Sequence, residues 1–291
     1  MPGSPYTDLD RPPLSAARLR RALVAPHGPW ARLELRAETG STNADVAEAA
    51  RAGEPEGLVV VAERQTAGRG RRGRVWQSPA RAGIATSVLL RPGEAVADRG
   101  WPPVPQTGYG WLPLLAGVAL VEAVTRLAEL DAGLKWPNDL LLGDAKCAGI
   151  LAEAVPGSSP ARPPAIVLGI GLNVTLRADE LPENPTGLPA TSLQLAGAAA
   201  TDRDPLLRAL LRGVADWYGE WRAAGGDAVA SGLRDAYLAT CATIDRQVRV
   251  LLPGGEEVTG TATGVDADGQ LLVATPTATR ALAAGDVLHL R

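Results

Sequence analysis

The sequence predicts a mixed α/β domain followed by a small all-β unit, and three observations carry this prediction. The chain has 291 residues, of which 46% are hydrophobic and 21% charged, a balance that supports a sizeable buried core. Up to about residue 240, apolar strand-like segments alternate with helical ones. From about Asp245 the pattern changes to short β segments separated by turn sequences. The predicted divisions are a tail over residues 1–30, a mixed domain over 31–242 and a β-barrel over 243–291.

The first 90 residues contain five predicted elements. The strands rest on alternating or continuous apolar residues, and the second helix rests on a polar tripeptide followed by an alanine-rich run. We expect residues 1–30, which are rich in Pro, Ala and Arg, to be a loosely held tail. The elements are a short helix over 14–24, a half-buried strand over 33–37, a helix from Ser41 to about Arg51, and apolar strands over 57–62 and 84–90.

The rest of the mixed domain begins with a long uncharged segment. Residues 100–121 carry no formal charge and could span a bilayer by length, but prolines and glycines interrupt their first half. We therefore predict a buried helix over 111–130 and no membrane span. The next elements are strands over 134–136, 139–142, 146–155 and 165–172 and helices over 205–224 and 228–240. The barrel segments are 247–252, 257–265, 271–274 and 287–290.

Composition argues against several classes of protein. A net charge of −3 does not favour a general nucleic-acid surface. The two cysteines, Cys147 and Cys241, form neither a disulfide framework nor a zinc-binding spacing. The two histidines lie near the chain ends, so we expect neither a His-dependent catalytic triad nor a structural metal site. Residues 1–13 lack the apolar segment of a signal peptide, and together these observations predict a cytoplasmic protein.

Lysine is rare in this chain, and its two occurrences are close together. There are 27 arginines but only two lysines, Lys135 and Lys146, with Asn138 between them. Such a bias is typical of a GC-rich coding background, in which arginine replaces lysine wherever either residue serves. The chemistry of a compact ammonium group is therefore a candidate reason for both lysines.

A glycine- and arginine-rich loop separates the two apolar strands predicted before residue 91. Residues 68–74 read Gly-Arg-Gly-Arg-Arg-Gly-Arg, and Trp76 follows. The glycines allow the backbone to close around a ligand, and guanidinium groups bind phosphate or carboxylate through paired N–H donors. The alternatives are a solvated basic loop and an RGG-like nucleic-acid segment. Four arginines together in an acidic protein favour a polyphosphate site.

The tripeptide Ser41-Thr-Asn43 stands at the start of a predicted helix. Asp45 lies three residues after Thr42, in position for a weak capping box. Ordinary helix capping is the simpler interpretation. The functional one is that a hydroxyl and an amide face a small polar ligand above the helix N-terminus.

Two motifs place polar residues on strands that otherwise read as buried. Lys135-Trp-Pro-Asn-Asp139 is followed by Lys146-Cys-Ala-Gly-Ile-Leu-Ala-Glu153. A buried lysine is unfavourable unless it is paired, and Asp139 or Glu153 could be a purely structural partner. Gly169-Ile-Gly-Leu-Asn173 closes the next strand, which alone is a weak signal.

In this order, and with Gln65, the motifs strongly resemble those of a biotin–protein ligase. The resemblance covers about residues 33–291 and rests on the combination, since no single motif is specific. It implies a mixed-sheet catalytic domain of the class II synthetase-like biotin/lipoate ligase type, followed by an SH3-like β-barrel. It also implies two steps: biotin and ATP give biotinyl-5′-AMP and pyrophosphate, and biotin is then transferred to a lysine of a biotin carboxyl carrier domain. Mg²⁺ would arrive with ATP, without a dedicated protein site.

The resemblance also implies roles for individual residues. The biotin site would contain Ser41, Thr42, Asn43, Gln65, Arg69, Gly70, Arg71 and Lys146. The ATP site would contain Arg74, Trp76, Lys135, Asn138 and Asn173, and the catalytic residues would be Lys146, Arg71 and Asp139. The first step brings a carboxylate against a polyphosphate, and each pair of unit charges at ~4 Å is worth about 4 kcal/mol at an effective dielectric of ~20. A cluster of cations is what this step requires.

Other functions stay open from the sequence. A lipoate–protein ligase would share the fold and the adenylate chemistry, but the barrel, the arginine loop and the Ser-Thr-Asn tripeptide favour biotin. A non-enzymatic nucleotide- or nucleic-acid-binding module would leave the lysine pair and Asn173 without a role. Some family members carry an N-terminal winged helix-turn-helix of about sixty residues; here only about thirty precede the catalytic domain, so we expect no specific DNA binding. We expect a monomer or a weak homodimer.

Overall fold

The structure is a computed structural model that describes residues 11–157, 159, 162–182 and 188–290. The helices are α1 (Ala16–Leu23), α2 (Thr42–Arg51), α3 (Trp111–Ala128), α4 (Arg203–Ala223) and α5 (Leu233–Thr240). The first sheet contains β1 (Arg32–Arg36), β2 (Leu58–Ala62), β3 (Gly83–Leu90), β4 (Ala132–Lys135), β5 (Asp139–Leu142), β6 (Ala145–Val155) and β7 (Ala165–Asn173). The second contains β8 (Gln247–Leu251), β9 (Glu257–Val265), β10 (Leu271–Ala274), β11 (Thr279–Leu282) and β12 (Asp286–His289).

The seven-stranded sheet is mixed, as the sequence predicts. Its order is β1-β2-β3-β7-β6-β5-β4; β1 and β2 run parallel, and the other neighbours run antiparallel. The second sheet, in the order β11-β10-β9-β8-β12, is antiparallel and consistent with an SH3-like fold. The predicted α/β class and the change to an all-β unit are both confirmed.

The two faces of the mixed sheet are covered differently. The main core lies on the face covered by α3 and α4, where strand residues such as Ile150, Leu168 and Ile170 are buried. On the other face, α2 packs on a smaller apolar cluster that includes Val46, Leu89 and Val167. This second face stays partly free of apolar cover, and the candidate site lies there.

One irregularity in the sheet changes the direction of a side chain. Leu140 pairs with Ala148, but Leu141 pairs with Lys146, so Cys147 is an extra residue in β6. Facing residues of paired strands point to the same side of a sheet, and an added residue re-aims the side chains that precede it. Lys146 therefore shares a face with Asp139 and Gly149, although three positions separate it from Gly149.

The N-terminal segment differs from our expectation of a loosely held tail. Leu19 and Leu23 of α1 are fully buried, and the indole of Trp30 donates to the Leu211 carbonyl at 3.1 Å. Arg11 forms a buried ion pair with Glu180 at 2.5 Å. Residues 11–30 therefore pack as part of the mixed domain because their apolar residues meet α4. Residues 1–10 lie outside the described residues.

Two further predictions needed correction. The helix expected over 228–240 begins at Leu233, because Gly232 before it has a left-handed φ of 74° that interrupts a continuous helix. Strand β11 was not predicted because three of its four residues are exposed, so it has no apolar run.

Helix α3 and the turn before it form an apolar segment, Gln106–Ala128, that could cross a membrane by length and composition. In this protein 72% of its most apolar window is buried inside the fold, which makes it a core helix. Two indoles bond to the second sheet's turn over residues 266–269: Trp111 donates to the Ala267 carbonyl at 2.7 Å, and Trp136, which follows β4, donates to the Gly269 carbonyl at 3.2 Å. This turn is one of the places where the β-barrel contacts the mixed domain.

Candidate active site

The floor of the candidate site is formed by glycines at the centre of the mixed sheet. Gly169, Gly171 and Asn173 alternate along β7 and point to one face, and Gly149 of β6 lies beside Gly171. A methyl group at Gly169 would lie 1.9 Å from Asn43 Oδ1, and one at Gly171 would lie 2.6 Å from the indole of Trp76. The absence of a side chain at both positions lets an amide and an aromatic ring lie directly on the sheet.

The N-terminus of α2 lies above this floor, and its predicted capping box does not form. Ser41, Thr42 and Asn43 are buried, but the Ser41 side chain makes no capping hydrogen bond. Asp45 accepts instead from Thr39 Oγ1 at 2.7 Å. The helix is capped by Gln65, whose Oε1 accepts from the Thr42 backbone N–H at 2.8 Å. A residue 23 positions away gives no local sign of this role.

Five side chains make a continuous polar cluster, which we define as Thr42, Asn43, Gln65, Ser87 and Glu153. Ser87 Oγ lies 2.7 Å from Thr42 Oγ1 and 2.6 Å from Asn43 Oδ1. Asn43 Nδ2 donates to Glu153 Oε2 at 2.7 Å. The sequence analysis missed Ser87, because nothing distinguishes this serine within a strand predicted from its apolar residues. It considered Glu153 only as the partner of a lysine.

Arg69 and Gly70 connect the polar cluster to the arginine loop. Arg69 lies 3.6 Å from Glu153, the outer member of the cluster. The loop is closed by two backbone bonds: the Trp76 N–H donates to the Gly68 carbonyl at 2.9 Å, and the Gly70 N–H donates to the Arg74 carbonyl at 2.7 Å. The predicted biotin residues at 41–43, 65 and 69–70 therefore lie next to one another.

The other arginines of the loop reach the β-barrel. Arg71 donates to Asn138 Oδ1 at 3.1 Å and to the Gly285 carbonyl at 3.4 Å, and burial lowers its pKa. Arg72 and Arg74 both donate to Asp286 Oδ2, at 3.0 and 2.6 Å. Sequence reasoning did not identify Asp286, since it lies at the start of β12, more than 200 residues from the loop.

The two lysines lie on the same face but in different surroundings. Lys146 Nζ lies 2.6 Å from Asp139 Oδ1, and its charge is 5.9 Å from the centre of the Trp76 ring. Lys135 faces Asp139 across the β4–β5 pair, yet no carboxylate of the described residues lies within 4.0 Å of its ammonium group. Burial lowers the pKa of Lys135, while the charge of Asp139 opposes that shift. Asp139 is thus the partner of Lys146.

The predicted nucleotide residues surround the same floor. Trp76 rests on Gly149 and Gly171 and borders a groove that Gln65 also lines. Asn138 donates through Nδ2 to the Ile150 carbonyl at 2.9 Å, and Asn173 donates to the Thr191 carbonyl at 2.9 Å. The structure brings all the predicted site residues to one face of the sheet and the adjoining loop.

This arrangement has two chemical ends. The polar cluster provides neutral hydrogen-bonding groups for a small polar ligand. The opposite end provides Arg71, Arg74 and Lys146, which can neutralise adjacent anionic groups in a partly desolvated site. A carboxylate placed between the ends would meet a phosphate among these cations. Among the described residues, no group of three or more His, Cys, Asp or Glu side chains could hold a metal ion.

Comparison with known proteins agrees with this geometry. A model of the Biotin/lipoate A/B protein ligase family matches residues 39–173, and a model of the Biotin protein ligase C terminal domain matches residues 243–290. The biotin--[acetyl-CoA-carboxylase] ligase of Mycobacterium tuberculosis is 42% identical over 291 residues, which cover 98% of this chain and 100% of that protein.

Two further comparisons bear on the fold and on the length. The biotin protein ligase from Aquifex aeolicus, solved with biotin and ATP, superposes with a TM-score of 0.69 at 26% identity, covering 90% of this chain and 100% of that one. The bifunctional ligase/repressor BirA of Bacillus subtilis is 36% identical over 171 residues, which are 59% of this chain and 49% of that protein.

Proposed function

The chain belongs to the biotin protein ligase family, and from this premise we propose how its residues perform the ligase reaction. The activity is ATP-dependent activation of biotin and its transfer to a carboxylase. In the first step a biotin carboxylate oxygen bonds to the α-phosphorus of ATP as the bond to pyrophosphate breaks. In the second, a lysine amine of the acceptor bonds to the biotin carbonyl carbon and AMP leaves.

We propose that the bicyclic head of biotin lies on the polar cluster. A ureido ring has two N–H donors and one carbonyl acceptor, and Thr42 and Gln65 supply both kinds of partner, with Asn43 lining the site beside them. Ser41 borders this site at the start of α2. The support is that side chains from the helix, from β3 and β6 and from the Gln65 segment converge above Gly169.

We assign the carboxylate and the α-phosphate to the space between the cluster and Lys146. Arg69 and Gly70 of the loop lie beside the cluster, so they would close over the carboxylate with Arg71. Lys146 is a compact charge on the same face, held by Asp139 at 2.6 Å. Asp139 would orient Lys146 and keep it from moving with the substrate. Positioning and electrostatic stabilisation are enough for this step, without a covalent enzyme intermediate.

The nucleotide would lie over the glycine floor. Trp76 would stack on adenine, and Asn138 and Asn173 would hold the nucleotide. Arg74 and Lys135 would face the phosphates, with Arg74 exchanging Asp286 for a phosphate oxygen. We propose that Mg²⁺ enters bound to the phosphate oxygens of ATP, as Mg²⁺ usually does in nucleotide sites.

The remaining proposals concern domains, partners and location. The catalytic unit would be residues 31–242 and the SH3-like unit residues 243–291. The acceptor would be a lysine of a biotin carboxyl carrier domain, and the protein would be a cytoplasmic monomer or weak homodimer without specific DNA binding. Support for the last point is the net charge of −3, which does not favour a nucleic-acid surface. Salt-resistant binding to a palindromic operator in a gel shift would overturn it.

One observation carries this function: the polar cluster and the cations of the arginine loop and Lys146 meet on a single glycine floor. The direct test is ATP–pyrophosphate exchange with purified protein in the presence of biotin, lipoate or no acid. We expect exchange with biotin only. Exchange with lipoate alone would assign the chain to lipoate activation, and no exchange with either acid from folded protein would contradict the activity.

A further inference from the structure

The direction of the hydrogen bonds in the polar cluster limits which ligand atoms it can accept. Several of its contacts join two oxygen atoms, and a hydroxyl group carries a single proton. The proton positions can therefore be deduced by starting from groups that can only accept and following the contacts inward.

Glu153 and a backbone carbonyl determine the orientation of the Asn43 amide. Asn43 Nδ2 lies 2.7 Å from Glu153 Oε2 and 3.3 Å from the Leu151 carbonyl oxygen, and both of these oxygens are acceptors. The amide must direct its NH₂ group towards them. Its other atom, Oδ1, therefore points at Ser87 and can only accept.

Ser87 passes this constraint on to Thr42. Because Asn43 Oδ1 has no proton, the Ser87 hydroxyl must donate its own across the 2.6 Å contact. Ser87 Oγ is then an acceptor, and the 2.7 Å contact with Thr42 is filled by the Thr42 proton. Ser87 is fully buried, so a water molecule cannot act as donor to its hydroxyl in place of Thr42.

Thr42 is thereby left without a proton for the ligand. The Thr42 hydroxyl has no second proton to donate to Gln65 Oε1, 3.1 Å away. That oxygen accepts instead from the Thr42 backbone N–H at 2.8 Å. Nε2 of Gln65 donates to no other part of the described chain, so it offers donors to the groove that Gln65 lines. The cluster therefore presents an acceptor at Thr42 and a donor at Gln65.

We propose that Ser87, oriented through Asn43 and Glu153, is a positioning residue that fixes Thr42 as an acceptor and so selects ligands that bring a ring N–H to this point. The proposal rests on the proposed function, since it takes the ureido ring of biotin as the ligand of the cluster. It assigns selectivity to residues that need not touch the ligand. A site built to accept an N–H rejects an analogue that lacks it, because buried lone pairs then face each other.

The test uses biotin and two cyclic carbamate analogues, in each of which one ring N–H is replaced by oxygen. Biotin-dependent and analogue-dependent ATP–pyrophosphate exchange give kcat/KM for each acid with the full-length protein. We expect the wild type to prefer biotin over at least one analogue by about 100-fold or more. In Ser87→Ala, Thr42 loses the acceptor at 2.7 Å, and its proton is free to turn either to Gln65 Oε1 at 3.1 Å or to the ligand oxygen. We expect the preference to fall by about tenfold.

Thr86→Val is the matched control. Thr86 is the neighbouring buried hydroxyl on β3, but it bonds to the Val60 carbonyl at 3.2 Å on the other side of the strand, so the preference should not change. A second pair of variants covers the case in which Ser87→Ala does not fold. Glu153→Leu removes the nearer of the two acceptors that orient Asn43 and leaves the Leu151 carbonyl at 3.3 Å, so it should lower the preference, whereas Glu153→Gln retains an acceptor oxygen and should preserve it.

If Ser87→Ala and Glu153→Leu weaken biotin and both analogues equally, the roles of Ser87 and Glu153 are structural and the proposal is wrong. A fall in the preference with Thr86→Val unaffected supports it. Failure of the proposed function is a separate result, because wild-type protein would then show no biotin-dependent exchange at all.

Discussion

The two ends of the candidate site are built on opposite principles. The polar cluster is neutral apart from Glu153, and its members are joined by hydrogen bonds that leave one acceptor and one donor for a ligand. The cationic end already holds anions of the protein itself, since Asp286 accepts from Arg72 and Arg74 and Asp139 pairs with Lys146. In the proposed function, one end is shaped before the ligand arrives, and at the other end Arg74 would exchange Asp286 for a phosphate oxygen. On that proposal, specificity belongs to the first end and charge neutralisation to the second.

The largest expected effect comes from removing a cation at the junction of the two ends. Lys146→Ala should lower the rate of adenylate formation by about 1,000-fold, the equivalent of about 4 kcal/mol, because a compact charge facing the reacting carboxylate and phosphate is lost. Single-turnover formation of biotinyl-AMP measures this effect. Biotin affinity without ATP should change far less, and circular dichroism should report an intact fold. A mutant rate within tenfold of wild type would remove Lys146 from the active site.

The second effect concerns the neutral end. Gly169→Ala should raise the dissociation constant for biotin by about 100-fold, because the added methyl group would lie 1.9 Å from Asn43 Oδ1 and displace the amide that orients the cluster. Isothermal titration calorimetry without ATP measures it. Gly264→Ala is the control, since a methyl there has its nearest neighbour at 3.9 Å. Equal affinities for the two variants would contradict the placement of the ligand above Gly169.

The predicted and the unpredicted parts of the site differ in physical kind. Motifs at 41–43, 68–74, 135–139 and 169–173 are short and local, so their residue types could be interpreted from the sequence, and their convergence on one site was implied by the family resemblance of their combination. What could not be inferred depends on register or on distant pairing. The bulge at Cys147, the Gln65 cap and the Asp286 contacts have no local pattern that distinguishes them. The buried position of residues 11–30 was likewise missed because a short helix shows its partner only in the fold.

The salt dependence of ligand binding should distinguish the two ends of the site in the wild-type protein. Between 50 and 500 mM KCl we expect the KM for ATP to rise by about fivefold, because partly exposed cations are screened over distances longer than about 4 Å at the higher concentration. The dissociation constant for biotinamide, which keeps the ureido head but has no carboxylate charge, should change by less than about twofold, since neutral hydrogen bonds are not screened. Equal responses of the two constants would show that the ends are not electrostatically distinct.

The smallest effect tests the barrel contact behind the cationic end. Burial lowers the pKa of His289 to about 4, and its ring lies 3.1 Å from Thr243 Oγ1, which accepts from the backbone N–H of Trp136. As the pH falls from 6.5 towards 4, the unfolded chain binds a proton that the folded protein excludes, so stability decreases. We expect this residue to account for about 1 kcal/mol of the loss after allowance for its partial exposure.

Urea denaturation at pH 7 and pH 5 measures this contribution. His289→Gln should reduce the difference between the two values, and the exposed His27→Gln should leave it unchanged. If both variants retain the wild-type difference, acid sensitivity arises elsewhere in the chain.

The extra residue at Cys147 has a consequence for how relatives of this chain are compared. Side chains alternate across a strand, so in a regular strand Lys146, three positions before Gly149, would point to the opposite side of the sheet. The extra residue Cys147 returns the Lys146 side chain to the same side as Gly149. A relative could contain every letter of the motif and, with a regular strand in place of the bulge, carry its ammonium group on the apolar face. The pairing of β5 with β6 at this point therefore says more about the position of the lysine than the motif letters do.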